Sequence, residues 1–486
     1  MLKKILGTIG TRYFIALLNL ALIFINAKTL GVEGVGMIGL IVASINIAVI
    51  FNSIFCGNTI VYFMNRYALR TIFTTAYVWA FIGSALACGF MFLTGLMPSG
   101  YGTDIYLLAI LNSVVTVNAR FLLGKDHIKG FNLTFILQGG LLFFVLLYFY
   151  YGADVKEVRS YIWGLYVTNG IAFLGSILLL LPYLHAIPKT ASPSCTFSAP
   201  SSHLPSTHSS QLTSADIPFS DESSHDPSSF LSPSSVPLSS LSSKNADVQP
   251  RLYKILKEMF IYGLWSGADN LAEVCTTRLN YFLIQRFLGL GGVGLLDAGT
   301  KISESVWNIS RSVSFIEYSN VAKTPEEREQ KKITLQLFKL TACAMILVMG
   351  GILLIPEWVY TRYLFTAQFQ GMRSVIFGLS PGIVALGCNS ILGHYFIGSG
   401  KIRYSTVSSC IGLVTLLPTG YLLIPAYGVA GSALSTSIAF LAMLLFSVRV
   451  FTRQTHTAWY ELLPSAQDWN ALKKLIKLKW KKSWHS

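Results

Sequence analysis

The stretch LGVEGVGM, residues 30–37, returns 258 residues later as LGLGGVGL, residues 288–295, with five of eight positions identical. Each copy follows a long apolar run, the first and the seventh of the chain. Glycine allows the backbone to turn sharply and two helices to pack closely at such a point. Gly124-Lys125 after the fourth run and Gly400-Lys401 after the tenth form a second similar pair, at a different offset. The sequence therefore predicts two related halves.

The composition is typical of a chain that is surrounded by lipid. Of its 486 residues, 52% are hydrophobic and only 12% are charged, and the mean hydropathy is +0.55. A soluble protein of this length needs more charge on its surface. The seven cysteines are scattered, without a CxxC pair or a neighbouring His cluster. We therefore expect no metal site, no cofactor and no disulfide.

Twelve apolar runs are long enough to cross a bilayer, which needs about 20 residues in a helix. Six precede a polar gap and six follow it. This pattern predicts an all-α polytopic membrane protein with two six-helix bundles around a central cavity. The runs are Tyr13–Leu30, Met37–Tyr62, Thr71–Met97, Ile105–Leu123, Phe131–Tyr151, Tyr161–Leu184, Phe260–Ile284, Val293–Phe315, Ile333–Ile355, Val375–Ile397, Ser405–Ile424 and Val429–Phe451.

Lysine and arginine alternate between the two sides of the predicted bundle. With the N-terminus inside, 25 of them fall on inner segments, five on outer segments and seven within the apolar runs. The positive-inside rule then predicts twelve spans with both termini cytoplasmic. The net charge of +15 follows from this orientation, so a nucleic-acid partner is not required.

Composition also divides the chain into segments. The predicted six-helix halves are residues 1–186 and 251–453. Residues 187–250 include 30 Ser or Pro residues among 64, which predicts a disordered cytoplasmic linker. In residues 454–486, Trp and Leu alternate with Lys, which is typical of a basic amphipathic tail on the inner leaflet. A merely solvated basic tail is the alternative.

Ionisable residues inside spans concentrate in the seventh and eighth. A charge at a helix centre costs about 2.5–3.5 kcal/mol on insertion scales, so these groups are expected to face protein or water. In the eighth span, intervals of four, three, four and three residues place five polar groups on one stripe: Asp297, Lys301, Glu304, Asn308 and Arg311. The alternative is that Asp297–Lys301 and Lys301–Glu304 are simply intrahelical ion pairs.

Polar residues on three other spans are expected to converge on the same cavity. In the seventh span, Asp269 and Glu273 share a face with Thr277, whereas Arg278 points away from Asp269 and is expected near the outer rim. The further members are Asn270 in the seventh span, Arg12, Asn19 and Asn26 at sevenfold spacing in or beside the first, and Asn46 in the second.

The chain resembles the polysaccharide-exporter branch of the superfamily that also contains multidrug-and-toxin extruders and lipid II flippases. The motifs are the turn at residues 30–36, the run LIPAYGVAGSA at residues 423–433 and the turn GSGK at residues 398–401. The resemblance covers nearly the whole chain except the linker and the tail. It implies a MATE-like fold in the bacterial cytoplasmic (inner) membrane.

The resemblance implies a flippase for undecaprenyl-pyrophosphate-linked oligosaccharide that works by alternating access, coupled to a proton or Na⁺ gradient. Its expected partners are this lipid-linked substrate, membrane lipids and polysaccharide-assembly proteins. The cations expected at the pyrophosphate are Arg12, Arg278, Lys301 and Arg311. The polar wall for the sugars is expected to comprise Asn19, Asn26, Asn46, Asn270, Thr277 and Asn308. The candidates for ion coupling are Asp269, Glu273, Asp297 and Glu304.

Two other functions remain open. One is a drug exporter for organic cations, since the cavity carries acids as well as bases. The other is a membrane-embedded glycan polymerase or ligase. No metal cluster, nucleophile–base pair or phosphate-cradling glycine loop is apparent in the sequence, which predicts that the chain is not an enzyme.

Overall fold

The structure is a computed structural model that describes residues 2–64, 67–125, 127–185, 252–321, 324 and 326–462. The predicted linker, residues 187–250, lies outside the described residues, as does most of the predicted basic tail.

Every regular element in these ranges is helical, which confirms the all-α class. The helices are α1 (Leu2–Cys56), α2 (Asn58–Phe63), α3 (Leu69–Leu93), α4 (Gly102–Gly124), α5 (Ile128–Phe135), α6 (Leu141–Leu147), α7 (Val158–His185), α8 (Leu252–Val321), α9 (Glu327–Leu353), α10 (Glu357–Val359), α11 (Met372–Gly398) and α12 (Arg403–Thr455).

Three of these helices are far longer than a single bilayer crossing requires. Helix α1 has 55 residues, α8 has 70 and α12 has 53, against about 20 for one span. Each contains one glycine with positive φ, which only glycine adopts readily: Gly31 (φ 70°), Gly289 (φ 73°) and Gly428 (φ 60°). Each long helix is therefore two arms joined at a glycine kink.

Contacts across the kinks show that the arms fold back on each other. The Tyr281 hydroxyl before Gly289 donates to Asp297 after it at 3.1 Å. The Ser408 hydroxyl before Gly428 donates to the Met443 carbonyl after it at 3.0 Å. The predicted turns after the first, seventh and eleventh spans are therefore these kinks rather than loops.

The part of the chain that the structure describes contains nine helices long and apolar enough to cross a membrane. Three of the nine are the kinked helices, and counting both arms of each gives twelve segments, which is consistent with the predicted number. Residues Ile128–Gly152 form one crossing with two π-helical turns, Ile136–Gly140 and Tyr148–Gly152. The sequence pattern does not predict these turns.

The two kinks of the repeated motif meet at one end of the bundle, which we call the outer end because the predicted topology places it outside. A Cβ atom at Gly36 would lie 2.1 Å from the Leu290 carbonyl oxygen, and one at Gly294 would lie 1.9 Å from the Val32 carbonyl oxygen. The two glycines are therefore required because the backbones are in direct contact. The Gln368 side chain accepts a hydrogen bond from the Val32 amide at 3.0 Å and so adds a further link across this end.

The opposite end of the bundle, which we call the inner end, also has contacts between the halves. Phe55 of α1 lies against Phe260 of α8, with ring centroids 6.0 Å apart, and Phe63 of α2 meets Tyr262 edge-on at 5.6 Å. The Tyr67 hydroxyl donates to Glu258. The described arrangement thus has contacts between the halves at both ends.

Candidate functional site

The described charged residues of the predicted site form two groups, both centred on α8. We call the first the paired cluster and define it as Arg278, Tyr281, Asp297, Lys301 and Glu304. We call the second the open cluster and define it as Asp269, Glu273, Arg311 and His394. The kink at Gly289 creates the paired cluster, because it folds one arm of α8 against the other.

The paired cluster is a continuous chain of hydrogen bonds. Arg278 donates from Nη2 to Glu304 at 3.1 Å and from Nη1 to the Tyr281 hydroxyl at 2.9 Å. The Tyr281 hydroxyl in turn donates to Asp297 Oδ1 at 3.1 Å, and Lys301 Nζ donates to Asp297 Oδ2 at 2.7 Å. Two acids and two bases alternate along this chain, so their formal charges cancel.

Burial explains why these charges pair. The Asp297 side chain is 2% exposed, and Arg278 and Glu304 are 19% and 20% exposed. An unpaired charge at such sites would lose its hydration without compensation. The predicted pair Asp297–Lys301 is present, whereas Glu304 pairs with Arg278 instead of Lys301. Arg278 is therefore occupied, and Lys301, at 28% exposure, keeps unused N–H donors.

The open cluster lies farther toward the inner end and is less neutralised. Asp269 accepts hydrogen bonds from two serines of α12, from Ser405 at 2.9 Å and from Ser409 at 2.6 Å. Glu273 and His394 each lie within electrostatic range of both Asp269 and Arg311. The His394 ring donates from Nδ1 to the Ser390 carbonyl at 2.7 Å.

Arg311 differs from the other cations that the sequence places at the site. Its guanidinium lies over the Trp307 ring, 4.0 Å from the centroid, and Trp307 Nε1 donates to Ser390 at 3.0 Å. The Arg311 side chain is exposed, and within the described ranges no carboxylate approaches it to ion-pair distance. Its five N–H donors are therefore held in place by stacking and remain available to an anion.

The residues of the predicted polar wall differ in exposure. Asn19 and Asn270 are exposed, and Asn46, Thr277 and Asn308 are half-buried. The Tyr13 hydroxyl of α1 donates to the Asn308 carbonyl at 3.3 Å, which brings the first half to the stripe of α8. The Arg12 side chain lies outside what the structure describes.

Asn26 corrects the prediction. Its side chain is 3% exposed and accepts a hydrogen bond from the Tyr150 hydroxyl at 3.0 Å. Tyr150 belongs to the second π-helical turn of the first half. Asn26 therefore faces the interior of its own half, and sevenfold spacing did not keep it on the same wall as Asn19.

A small cavity lies inside the second half, beside the paired cluster. Thr277, Tyr281, Thr300 and Glu304 give it a polar side, and apolar residues of α11 and α12 close the other. Among the residues that the structure describes, no group of three or more His, Cys, Asp or Glu side chains is arranged to hold a metal ion.

Sequence reasoning missed several partners, although some left a signal. Ser405 and Ser409 are four residues apart and share a helical face, and Trp307 precedes Arg311 by the same interval. Tyr281 follows Arg278 by three residues. His394 left no such signal, because only the packing of α11 against α8 brings it to Arg311.

Sequence comparison gives one informative relative, and no protein-family model matches the chain. A protein of Shigella flexneri described as "Putative O-antigen transporter" is 22% identical over 208 residues, 41% of this chain and 48% of that protein. The chain thus spans about half the length of the curated relative it matches.

Solved structures give a much fuller match in fold. An inward-facing multidrug resistance transporter of the MATE family and MOP superfamily has a TM-score of 0.63 and 13% identity, covering 91% of this chain and 94% of that one. The lipid II flippase MurJ in an inward closed conformation has a TM-score of 0.61 and 12% identity, covering 94% and 89%. These similarities confirm the predicted resemblance and the MATE-like fold.

Proposed function

From the premise of this MATE-like fold, we propose that the chain flips undecaprenyl-pyrophosphate-linked oligosaccharide across the bacterial cytoplasmic membrane. The two halves alternate between closure at the outer and at the inner end. An ion gradient, of protons or Na⁺, drives the cycle. Both termini are on the cytoplasmic side, and polysaccharide-assembly proteins receive or supply the substrate. The relative annotated for O-antigen transport supports this choice of substrate.

The observation that carries the proposal is the unpaired Arg311. A pyrophosphate needs a cation that is not already neutralised, in a position that water and substrate reach. Arg278 is bonded to Glu304, and Lys301 is bonded to Asp297, so neither offers a full charge. The exposed Arg311 guanidinium over Trp307 does. Arg311 is therefore the main pyrophosphate ligand, and Lys301 is a secondary donor.

The neutral polar groups fit the sugars. Asn19, Asn46, Asn270 and Asn308 are exposed or half-buried, and amides both donate to and accept from sugar hydroxyls. They add no charge that would compete with Arg311. The glycan therefore lies against these amides, while the lipid tail remains in the surrounding bilayer.

The acids of the open cluster are the candidates for ion coupling. Asp297 and Glu304 neutralise Lys301 and Arg278, so their role is to hold the two arms of α8 together. Asp269 is already surrounded by two serine hydroxyls, and Glu273 has no hydrogen bond within the described ranges. Ion binding at these two acids changes the charge next to Arg311 and so links the ion to the substrate.

Complementation of a bacterial strain whose own O-antigen flippase is deleted tests this function. Surface glycan is expected to return with the wild-type chain and to remain absent with Arg311→Glu. Lys301→Glu is expected to abolish complementation as well, although it also places a second carboxylate beside buried Asp297. Arg286→Gln is the matched control, because Arg286 is exposed on the same helix but outside both clusters. Full glycan export by Arg311→Glu would exclude the pyrophosphate role.

Glu273 favours a second candidate, the export of organic cations. An unpaired acid beside a cavity is what a cationic substrate requires. Efflux of a fluorescent organic cation from everted vesicles separates the two functions. Robust efflux that Glu273→Gln abolishes, together with no restoration of surface glycan, would replace the flippase proposal by cation export.

A further inference from the structure

A fully buried acid lies outside both clusters, near the inner end of α8. Glu317 has 0% exposure, and neither of its carboxyl oxygens has a hydrogen-bond partner. Thr334 of α9 lies next to it, and the buried Thr334 hydroxyl faces the carboxyl. Two buried polar groups thus face each other between α8 and α9.

The described residues around Glu317 are mainly apolar. One turn farther along α8, Val321 belongs to an apolar cluster with Phe338 of α9, Leu392 of α11 and Phe451 of α12. The Tyr395 hydroxyl of α11 lies within electrostatic range of Glu317 and also of Glu327 at the start of α9, and neither Tyr395 nor Glu327 carries a positive charge. The Cys388 thiol of α11 belongs to the same apolar cluster. No Lys, Arg or His of the described residues lies within ion-pair distance of the carboxyl.

An ionised carboxylate in such a place is strongly disfavoured. Removing a charge from water without a partner costs several kcal/mol, and a carboxyl avoids this cost by keeping its proton. A metal cation needs about six oxygen ligands, whereas a proton needs only one carboxyl oxygen. A proton is the ligand that fits.

The position of Glu317 connects it to the proposed substrate site. Glu317 follows Arg311 by six residues on the same arm of α8, which is about 9 Å along the helix axis. The same arm carries Gly294, which contacts the first half at the outer end. A movement of this arm during alternating access therefore also changes the packing of Glu317 against α9.

We propose that Glu317 is a proton-binding site of the second half. The carboxyl holds a proton while the ends of α8 and α9 are packed together. When these ends separate, water reaches the site, the Thr334 hydroxyl donates to the carboxylate, and the proton leaves to the inner side. Its part in coupling rests on the proposed transport function, whereas its protonation does not.

Infrared spectroscopy of the purified full-length chain tests the protonation directly. The carbonyl stretch of a protonated carboxylic acid is expected at neutral pH in the wild type and is expected to disappear in Glu317→Gln. Glutamine has the same shape and is neutral, so this variant keeps the packed fold. Glu326→Gln is the matched control, since Glu326 is exposed at the start of α9. Identical carboxyl bands in wild type and Glu317→Gln would overturn the proposal.

Proteoliposomes loaded with the labelled lipid-linked oligosaccharide test the coupling role. Glu317→Gln is expected to flip substrate down the substrate's own concentration gradient. A proton gradient of one pH unit can stimulate a coupled transporter about tenfold, and the variant is expected to lose this stimulation. Stimulation equal to wild type would overturn the coupling role. Absence of flipping by the wild type would instead refute the proposed function and leave the infrared result intact.

Discussion

Alanine at Gly36 places one methyl group where the two halves meet at the outer end. Its Cβ atom would lie 2.1 Å from the Leu290 carbonyl oxygen, whereas ordinary contacts begin near 3.4 Å. The backbones must therefore separate by about 1.3 Å, the difference between these distances. Overpacking of this kind costs about 1–3 kcal/mol, and each 1.4 kcal/mol is a factor of ten in population. We expect Gly36→Ala to shift the equilibrium about 5- to 150-fold away from outer closure.

Distance measurements between spin labels report this shift. In a cysteine-free background, labels at Glu33 and Leu288 lie at exposed positions on the two halves beside the crossing. Gly36→Ala and its repeat equivalent Gly294→Ala are expected to lengthen the distance and to slow flipping. Gly291→Ala is the control, because a Cβ atom there meets only Val32 Cγ1 at 3.9 Å. If Gly36→Ala and Gly291→Ala gave the same distance distribution, the argument from the crossing would be refuted.

Three further predictions concern the clusters and Asn26. Arg278→Met is expected to lower the free energy of unfolding by about 2–4 kcal/mol, since it leaves Glu304 unpaired. The double variant Arg278→Met with Glu304→Met is expected to recover most of this stability. If the pair were unimportant, thermal melting of the single and double variants would show no such recovery. Asn26→Ala is expected to lower the free energy of unfolding by about 1–2 kcal/mol and to keep the wild-type rate of flipping. A loss of glycan binding without a loss of stability would instead show that Asn26 contacts the substrate. Asp269→Asn is expected to bind substrate normally but to lose ion-gradient stimulation, and retained stimulation measured in proteoliposomes would exclude Asp269 from coupling.

The repeated glycine motif made much of the fold predictable. Gly31 and Gly289 are the two kinks, and Gly36 and Gly294 are the two points of contact, all at the offset of 258 residues. Local sequence suffices here because only glycine permits the positive φ and the backbone contact. Apolar length likewise predicted the crossings, although it could not distinguish a loop from a kink.

Pairing between elements could not be predicted in the same way. The helical periodicity of α8 predicts the Asp297–Lys301 pair, because residues four apart lie on the same face of a helix. It does not give Arg278–Glu304, because this pair depends on how the kink at Gly289 orients one arm against the other.

Two residues show the limits of hydropathy and spacing most clearly. Asn26 has the spacing of a cavity residue, yet it is buried in its own half, where it accepts a hydrogen bond from Tyr150. Glu317 lies just beyond the eighth apolar run, which ends at Phe315, so the sequence pattern does not predict that it is buried. Its burial arises from the packing of α9 against the end of α8, which no local pattern encodes.

The central claim is that the unpaired Arg311 guanidinium holds the pyrophosphate during flipping. The most direct test is the initial rate at which purified chain in proteoliposomes flips a labelled undecaprenyl-pyrophosphate oligosaccharide. A charge-assisted hydrogen bond contributes about 1.5–3 kcal/mol, so Arg311→Gln is expected to slow flipping at least about tenfold. Arg311→Lys is expected to be intermediate, and Arg286→Gln to match the wild type. A wild-type rate with Arg311→Gln would contradict the claim.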